Sequence, residues 1–100
     1  MSLEVSKNMW FEMIRECREA GYKKLLIEES LSESLTMPET FELILFLVGL
    51  KFGCIKFAFV DRCPSHADVN RFGELAGANR GLNGKMFQSK REAEKWLLGH

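Results

Sequence analysis

Three short apolar runs alternate along the chain with longer stretches of helical periodicity, and this alternation limits the possible folds most. The runs lie at residues 25–27, 54–60 and 84–88. The first two are nearly continuous in apolar side chains, which is typical of strands buried on both faces. Strands that alternate with helices favour a parallel sheet with right-handed crossovers. The sequence therefore predicts an α/β fold with a single-layer, mainly parallel sheet in the order α-β-α-β-α-β-α.

The four helices are marked by periodicity and by capping signals. The first is predicted over residues 5–20, where Gly21 provides a left-handed C-terminal cap. The second and the last open with S/T-x-x-E capping boxes at Thr36 and Ser89. The third is predicted to start from Ser65 as N-cap. Its expected inner stripe is Val69, Phe72, Leu75 and Ala76, and that of the last helix is Ala93, Trp96 and Leu97.

The second helix, predicted over 37–50, is apolar on nearly every side, so it needs cover on more than one face. We expect one stripe to face the sheet and the rest to form an interface or a ligand pocket. The alternative is that the other helices bury both faces. The expected core stripe is Phe41, Ile44, Leu45 and Val48, and the candidate interface or pocket residues are Leu43, Phe46, Leu47 and Leu50.

Length and composition indicate one small globular domain spanning residues 1–100, with 46% hydrophobic and 28% charged residues. The opening "MSL" and the closing "GH" are typical of residues added in cloning. Residues 1–4 and 99–100 are therefore expected to lie outside the folded domain, and the chain to be trimmed from a longer one.

Charge and cysteine usage exclude several classes of function. The formal net charge is zero and the basic residues are scattered, which argues against a nucleic-acid partner. The longest uncharged apolar piece, residues 43–50, is too short for stable membrane insertion. The three cysteines include no C-x-x-C pair, which argues against a disulfide framework or a zinc site. We expect a cytoplasmic protein without a cofactor.

A polar cluster follows the central strand and is expected to form a βα turn at the carboxyl end of the sheet, where ligands bind in open α/β folds. A turn and a helix cap alone would explain it equally well. Cys63 near a helix N-terminus could have a lowered pKa, but packing is the commoner role of a single cysteine, and no catalytic residue is assigned. The candidate turn-site residues are Asp61, Arg62, Cys63, Ser65 and His66.

The segment before the second helix contains two further groups of polar residues. Thr36, with Ser30, Ser32 and Ser34, places hydroxyls before a helix N-terminus, where a phosphate would be stabilised. Thr36 is therefore a weak candidate phosphorylation site. The acidic residues Glu28, Glu29 and Glu33 are expected to be a solvated connector and not paired carboxylates.

Four segments together resemble a known family: "KKLLIEE", "IKFAFVD", "VNRFGELAGANRG" and "KMFQSKREAEKWL". Over residues 5–98 the chain resembles the STAS domain, and more closely the SpoIIAA-like STAS/SEC14 group of small bacterial proteins. It departs from that pattern in two ways. The strands that normally precede the first helix are missing, and "SLTMPET" replaces the Asp-Ser-Ser/Thr-Gly phosphorylation motif.

The resemblance implies a non-catalytic module for protein interaction or regulation, with a protein partner or a second copy in a homodimer. As an alternative, the SEC14 similarity implies a lipophilic small-molecule ligand. An enzyme that uses Cys63 is the least favoured of the three hypotheses.

Overall fold

The computed structural model describes residues 2–29 and 35–99, and it confirms the predicted alternation of helices and strands. The helices are α1 (Leu3–Ala20), α2 (Met37–Gly49), α3 (Ala67–Ala78) and α4 (Lys90–Leu98), with a 3-10 turn at Pro64–His66 before α3. The strands are β1 (Lys24–Glu29), β2 (Lys56–Asp61) and β3 (Gly84–Phe87).

The first helix begins earlier than predicted, at Leu3, because Ser2 caps it. Ser2 Oγ accepts a hydrogen bond from Val5 N at 3.2 Å, which satisfies one of the free N–H groups of the first turn. Residues 3–4, expected outside the domain, are therefore helical. At the other end Gly21 has φ 77°, a left-handed conformation that a residue without Cβ adopts at little cost.

The three strands form one parallel sheet in the order β1-β2-β3. Alternate side chains of β2 enter two different cores, as expected from the two-residue period of a strand. Phe57 and Phe59 pack in the larger core with α1 and α2, whereas Val60 packs against Ala93 and Leu97 of α4. Helices α1, α2 and α3 thus cover one face of the sheet and α4 covers the other.

Gly84 in β3 is required by the aromatic ring of Phe57. A Cβ atom on Gly84 would lie only 2.0 Å from the Phe57 ring, closer than any real contact. The ring also meets Trp10 edge-on, with centroids 5.3 Å apart. The missing side chain in β3 therefore lets the central strand place a large ring under α1.

The orientation of α2 differs from the predicted one. Leu43, Ile44 and Leu47 are buried, with Leu47 only 1% exposed, whereas Leu45 is 47% exposed. The predicted core stripe is therefore wrong at Leu45. In a helix that is apolar nearly all round, the pattern does not mark the inner face. That face is set by the neighbouring elements, here α1 on one side and α3 on the other.

Helix α3 also differs from its predicted form. Ser65 does not cap it; a 3-10 turn intervenes, and α3 begins at Ala67 without a side-chain cap. Its inner face consists of Gly73, Ala76 and Gly77, while Leu75 is 53% exposed. Small residues on this face allow α3 to pack closely, since a Cβ on Gly73 would meet Thr40 Cγ2 at 3.1 Å.

In the part of the chain that the structure describes, no helix combines the length and apolar character that crossing a bilayer requires.

Candidate functional site

A cavity of about 90 Å³ lies between the sheet and helices α1, α2 and α3. Most of its wall is apolar or small, and the inner face of α3 leaves room because Gly73 and Gly77 carry no side chain. Three aromatic rings belong to the wall, and the Trp10 ring is stacked on Phe59 with centroids 6.3 Å apart. The main apolar lining residues are Trp10, Leu43, Ile44, Leu47, Phe57 and Phe59.

The carboxyl ends of β1 and β2 supply polar groups to this cavity. Glu29 and Asp61 are the last residues of their strands and are directly paired in the parallel register. Register partners point to the same face of a sheet, so both side chains lie on the side covered by α1 to α3. Both residues line the cavity, as does His66.

Asp61 is held by three hydrogen bonds. Its carboxylate accepts from Asn70 Nδ2 at 3.1 Å and from Cys63 N at 3.0 Å, and its Oδ2 lies 2.8 Å from His66 Nδ1. Asp61 and His66 are only 6% and 5% exposed. Burial alone would raise the pKa of Asp61, but these hydrogen bonds and the charge on His66 outweigh it, so the pKa is below the usual value.

Glu29 has a different environment although it is adjacent. Its Oε1 is buried and has no hydrogen-bond partner among the described residues. Burial, and then the negative charge of Asp61, raise the pKa of Glu29 above its ordinary value. The expectation that Glu29 belongs to a solvated connector is therefore wrong. Its neighbour Glu28 is exposed, and Glu33 lies outside the described residues.

Ser6 of α1 is a second buried polar group at the cavity. It is 1% exposed, and its Oγ has no hydrogen-bond partner in the described part of the chain. A buried polar group without a partner costs about 1–3 kcal/mol, so such a group requires an explanation. Ser6 lines the same cavity as Glu29.

The remaining turn-site residues point elsewhere. Arg62 pairs with the exposed Glu28 at 3.0 Å, away from the cavity. Cys63 Sγ lies 3.1 Å from Ser65 Oγ, and this hydrogen bond lowers the pKa of the Cys63 thiol. The structure therefore divides the predicted cluster, because only Asp61 and His66 line the cavity.

The candidate residues on and before α2 are also divided. Leu43 and Leu47 are buried and line the cavity, while Phe46 and Leu50 are partly buried and do not. Thr36 is the N-cap of α2 and forms a reciprocal capping box with Glu39. Its hydroxyl accepts from Glu39 N at 3.3 Å. Ser30, Ser32 and Ser34 lie outside the described residues, and the phosphorylation hypothesis stays a prediction.

No group of three or more potential metal ligands was found within residues 2–29 and 35–99. Comparisons of this chain with protein-family models, with curated proteins and with solved structures gave no match. The resemblance to the STAS family therefore stays a prediction, and the cavity has to be interpreted from its own chemistry.

Ser6, Glu29 and Asn70 line the cavity but were not predicted as members of the site. One usable signal was present, because "KLLIEE" and "KFAFVD" both end in an acidic residue. In a parallel sheet such strand ends meet at one edge. Ser6 gave no signal, since a single serine in an amphipathic helix is common on either face.

Proposed function

We propose that this chain is a non-catalytic binding domain that holds a small molecule, with an apolar body and one polar head, in the cavity under α1, α2 and α3. Apolar walls with a few convergent polar groups are typical of small-molecule sites. The observation that carries the proposal is that two residues lining one cavity, Ser6 and Glu29, each have a buried oxygen, Oγ and Oε1 respectively, with no hydrogen-bond partner among the described residues.

The volume of the cavity restricts the ligand. An engineered cavity of about 150 Å³ binds benzene, and sites for drug-sized ligands measure about 300–1,000 Å³. At about 90 Å³ this cavity suits a molecule of a few heavy atoms. This volume restricts the lipophilic ligand implied by the SEC14 resemblance to a small molecule. A long-chain lipid would fit only if the helices separated.

The contacts of Cys63 favour binding over catalysis. Its hydrogen bond goes to the hydroxyl of Ser65, which does not act as a general base at neutral pH. His66 instead directs Nδ1 to Asp61. In addition, Cys63 does not line the cavity. A thiolate at Cys63 would therefore not reach a molecule bound in the cavity.

A titration with a neutral probe tests the proposal. Isobutanol, added to the ¹⁵N-labelled protein at millimolar concentration, should shift the amide signals of Ser6, Gly73 and Gly77 along a saturable curve. Ser6→Leu should fill the cavity and abolish this saturation. Asn8→Leu, on the exposed side of the same helix, is the matched control and should bind like the wild type. Linear shifts that are equal in all three proteins would contradict the proposal.

A second candidate function, self-association, is favoured by an apolar strip on the outer side of α2 and α3. Leu45 and Leu75 are exposed there, and the rings of Phe41 and Phe72 meet with centroids 6.3 Å apart. A two-fold dimer brings the same patch of both copies together. Sedimentation velocity tests it: the wild type should dimerise and Leu45→Glu should be monomeric. A wild type that is monomeric at all concentrations would contradict it.

A further inference from the structure

Acidic side chains outnumber basic ones in the cavity lining. Among the described residues that line it, Glu29, Asp61 and Glu74 carry carboxylates, the basic residue is His66, which is paired with Asp61, and none is Lys or Arg. Two of these acids have partners, since Glu74 Oε1 accepts from Met86 N at 2.7 Å and Asp61 is held by Asn70 and His66. Glu29 Oε1 is the acidic oxygen without a donor among the residues described.

Ser6 gives an independent indication that a polar group binds in this cavity. Its hydroxyl is almost completely buried, lines the cavity and has no partner in the described structure. The topology places Ser6 near Glu29. From the turn at Gly21, α1 runs back roughly 22 Å to Ser6 at 1.5 Å per residue, and β1 runs forward about 20 Å to Glu29. Both residues therefore lie at the same end of the sheet.

The apolar part of the cavity wall suits the body of a small organic ligand. The rings of Trp10, Phe57 and Phe59 line the cavity and offer large apolar contact surfaces. A quaternary ammonium has no N–H group and would leave Ser6 Oγ and Glu29 Oε1 unpaired. A primary ammonium supplies three N–H donors and the charge at once.

We propose that the ligand of the cavity is a small primary amine in its ammonium form, bound by Glu29 and Ser6 with its apolar body against the rings of Trp10, Phe57 and Phe59. The inference rests on the proposed binding function and names its ligand class. Glu29 accepts a charge-assisted hydrogen bond, which is stronger than a neutral one. The ionised Asp61 adds to the attraction and keeps its own partners.

Three probes of similar size and different charge test this inference. Isobutylammonium, isobutanol and isobutyrate are titrated into the ¹⁵N-labelled wild type at pH 7. Isobutylammonium should bind at least tenfold more tightly than isobutanol, and isobutyrate should bind most weakly. If isobutanol or isobutyrate binds as tightly as the ammonium, the ligand class is wrong while the binding function stands. If no probe gives saturable shifts at Ser6 and Gly73, both proposals are wrong.

The Glu29→Gln variant tests the role of the carboxylate. It should lose at least tenfold in affinity for isobutylammonium and bind isobutanol like the wild type, which also shows that the cavity is intact. Glu16→Gln, on the exposed side of α1, is the control and should bind both probes normally. Two results would overturn the assignment of Glu29 as the residue that binds the ammonium group. One is equal affinity of Glu29→Gln and Glu16→Gln for isobutylammonium, and the other is loss of isobutanol binding in Glu29→Gln.

Discussion

Glu29 and Asp61 are register partners at the ends of adjacent parallel strands, yet their carboxyl groups have opposite environments. Asp61 accepts hydrogen bonds from Asn70 and the Cys63 backbone and contacts His66, and its pKa is lowered. Glu29 is partly buried beside that negative charge, and its pKa is raised. A pair of acids whose pKa values are moved apart in this way is a frequent feature of functional sites.

The first prediction concerns the pH dependence of stability. Because the folded-state pKa of Glu29 is raised, the folded protein holds its proton more tightly than the unfolded chain does. The free energy of unfolding should therefore fall as pH rises from about 4.3, the ordinary pKa of glutamate, to the raised value. Glu29→Gln should lack this fall. Urea denaturation at a series of pH values measures both curves.

The charged groups that act on Glu29 are Asp61, His66 and the N-terminal amine of the chain. All three are present in both proteins, so the difference between the two curves reports Glu29 together with its coupling to these groups. The contribution of Asp61 has the opposite sign. Because its folded-state pKa is lowered, the ionised Asp61 stabilises the protein above the ordinary aspartate pKa. This stabilisation is lost as the pH falls through the folded-state pKa. Identical pH profiles for the wild type and Glu29→Gln would show that Glu29 is solvated.

The second prediction compares two serines of α1. Ser6→Ala removes a buried hydroxyl that has no partner among residues 2–29 and 35–99, so it should leave the free energy of unfolding unchanged or raise it by about 1–3 kcal/mol. Ser2→Ala removes the N-cap hydrogen bond and should cost about 0.5–2 kcal/mol. Chemical denaturation of both variants without added ligand gives the comparison.

Ser6→Ala should also weaken binding of isobutylammonium, whereas Ser2→Ala should not. Higher stability combined with lower affinity is the signature of a residue kept for binding. A marked loss of stability in Ser6→Ala would instead show that its hydroxyl has a structural partner.

The third prediction concerns the orientation of α2. Leu47→Ala should cost about 2–5 kcal/mol because its side chain is buried in the core. Leu45→Ala, at an exposed position of the same helix, should change stability by no more than about 0.5 kcal/mol. Thermal and urea denaturation test the pair. Equal losses for both variants would mean that α2 is rotated from the orientation described.

The fourth prediction concerns the thiols. The pKa of Cys63 is lowered by its hydrogen bond with Ser65, whereas burial raises the pKa of Cys17. In the folded protein Cys63 should therefore react with a disulfide reagent much faster than Cys17. Cys63→Ala should change stability by less than about 1 kcal/mol. A Cys17 that reacts as fast as Cys63 would contradict the burial of that helix face.

The sequence predicted the order of the elements well, because strand length, capping boxes and glycine positions are local signals. Thr36 and Gly21, for example, lie at the helix ends that they were predicted to mark. The face that each helix turns toward the core was predicted less well. Leu45 and Leu75 fit an apolar stripe as well as Leu47 does, and only the positions of the neighbouring helices decide which of them is buried.

Only part of the candidate site was predicted, because part of it depends on contacts between residues that are distant in the sequence. Asp61 and His66 are five positions apart in the sequence, so their turn could be recognised directly. Glu29 and Ser6 come from β1 and α1, and they line the same cavity as Asp61 only because of the strand register and the packing of α1 on the sheet. Such long-range pairing leaves no local pattern in a single sequence.

The most direct test of the central claim is to locate a bound amine by intermolecular nuclear Overhauser effects. The account predicts contacts from the methyl groups of isobutylammonium to the ring of Trp10 and to the methyl groups of Leu43 and Leu47, with the methylene beside nitrogen near Ser6 and Glu29. Contacts only to exposed side chains such as Tyr22 or Leu98, with none to these lining residues, would contradict it.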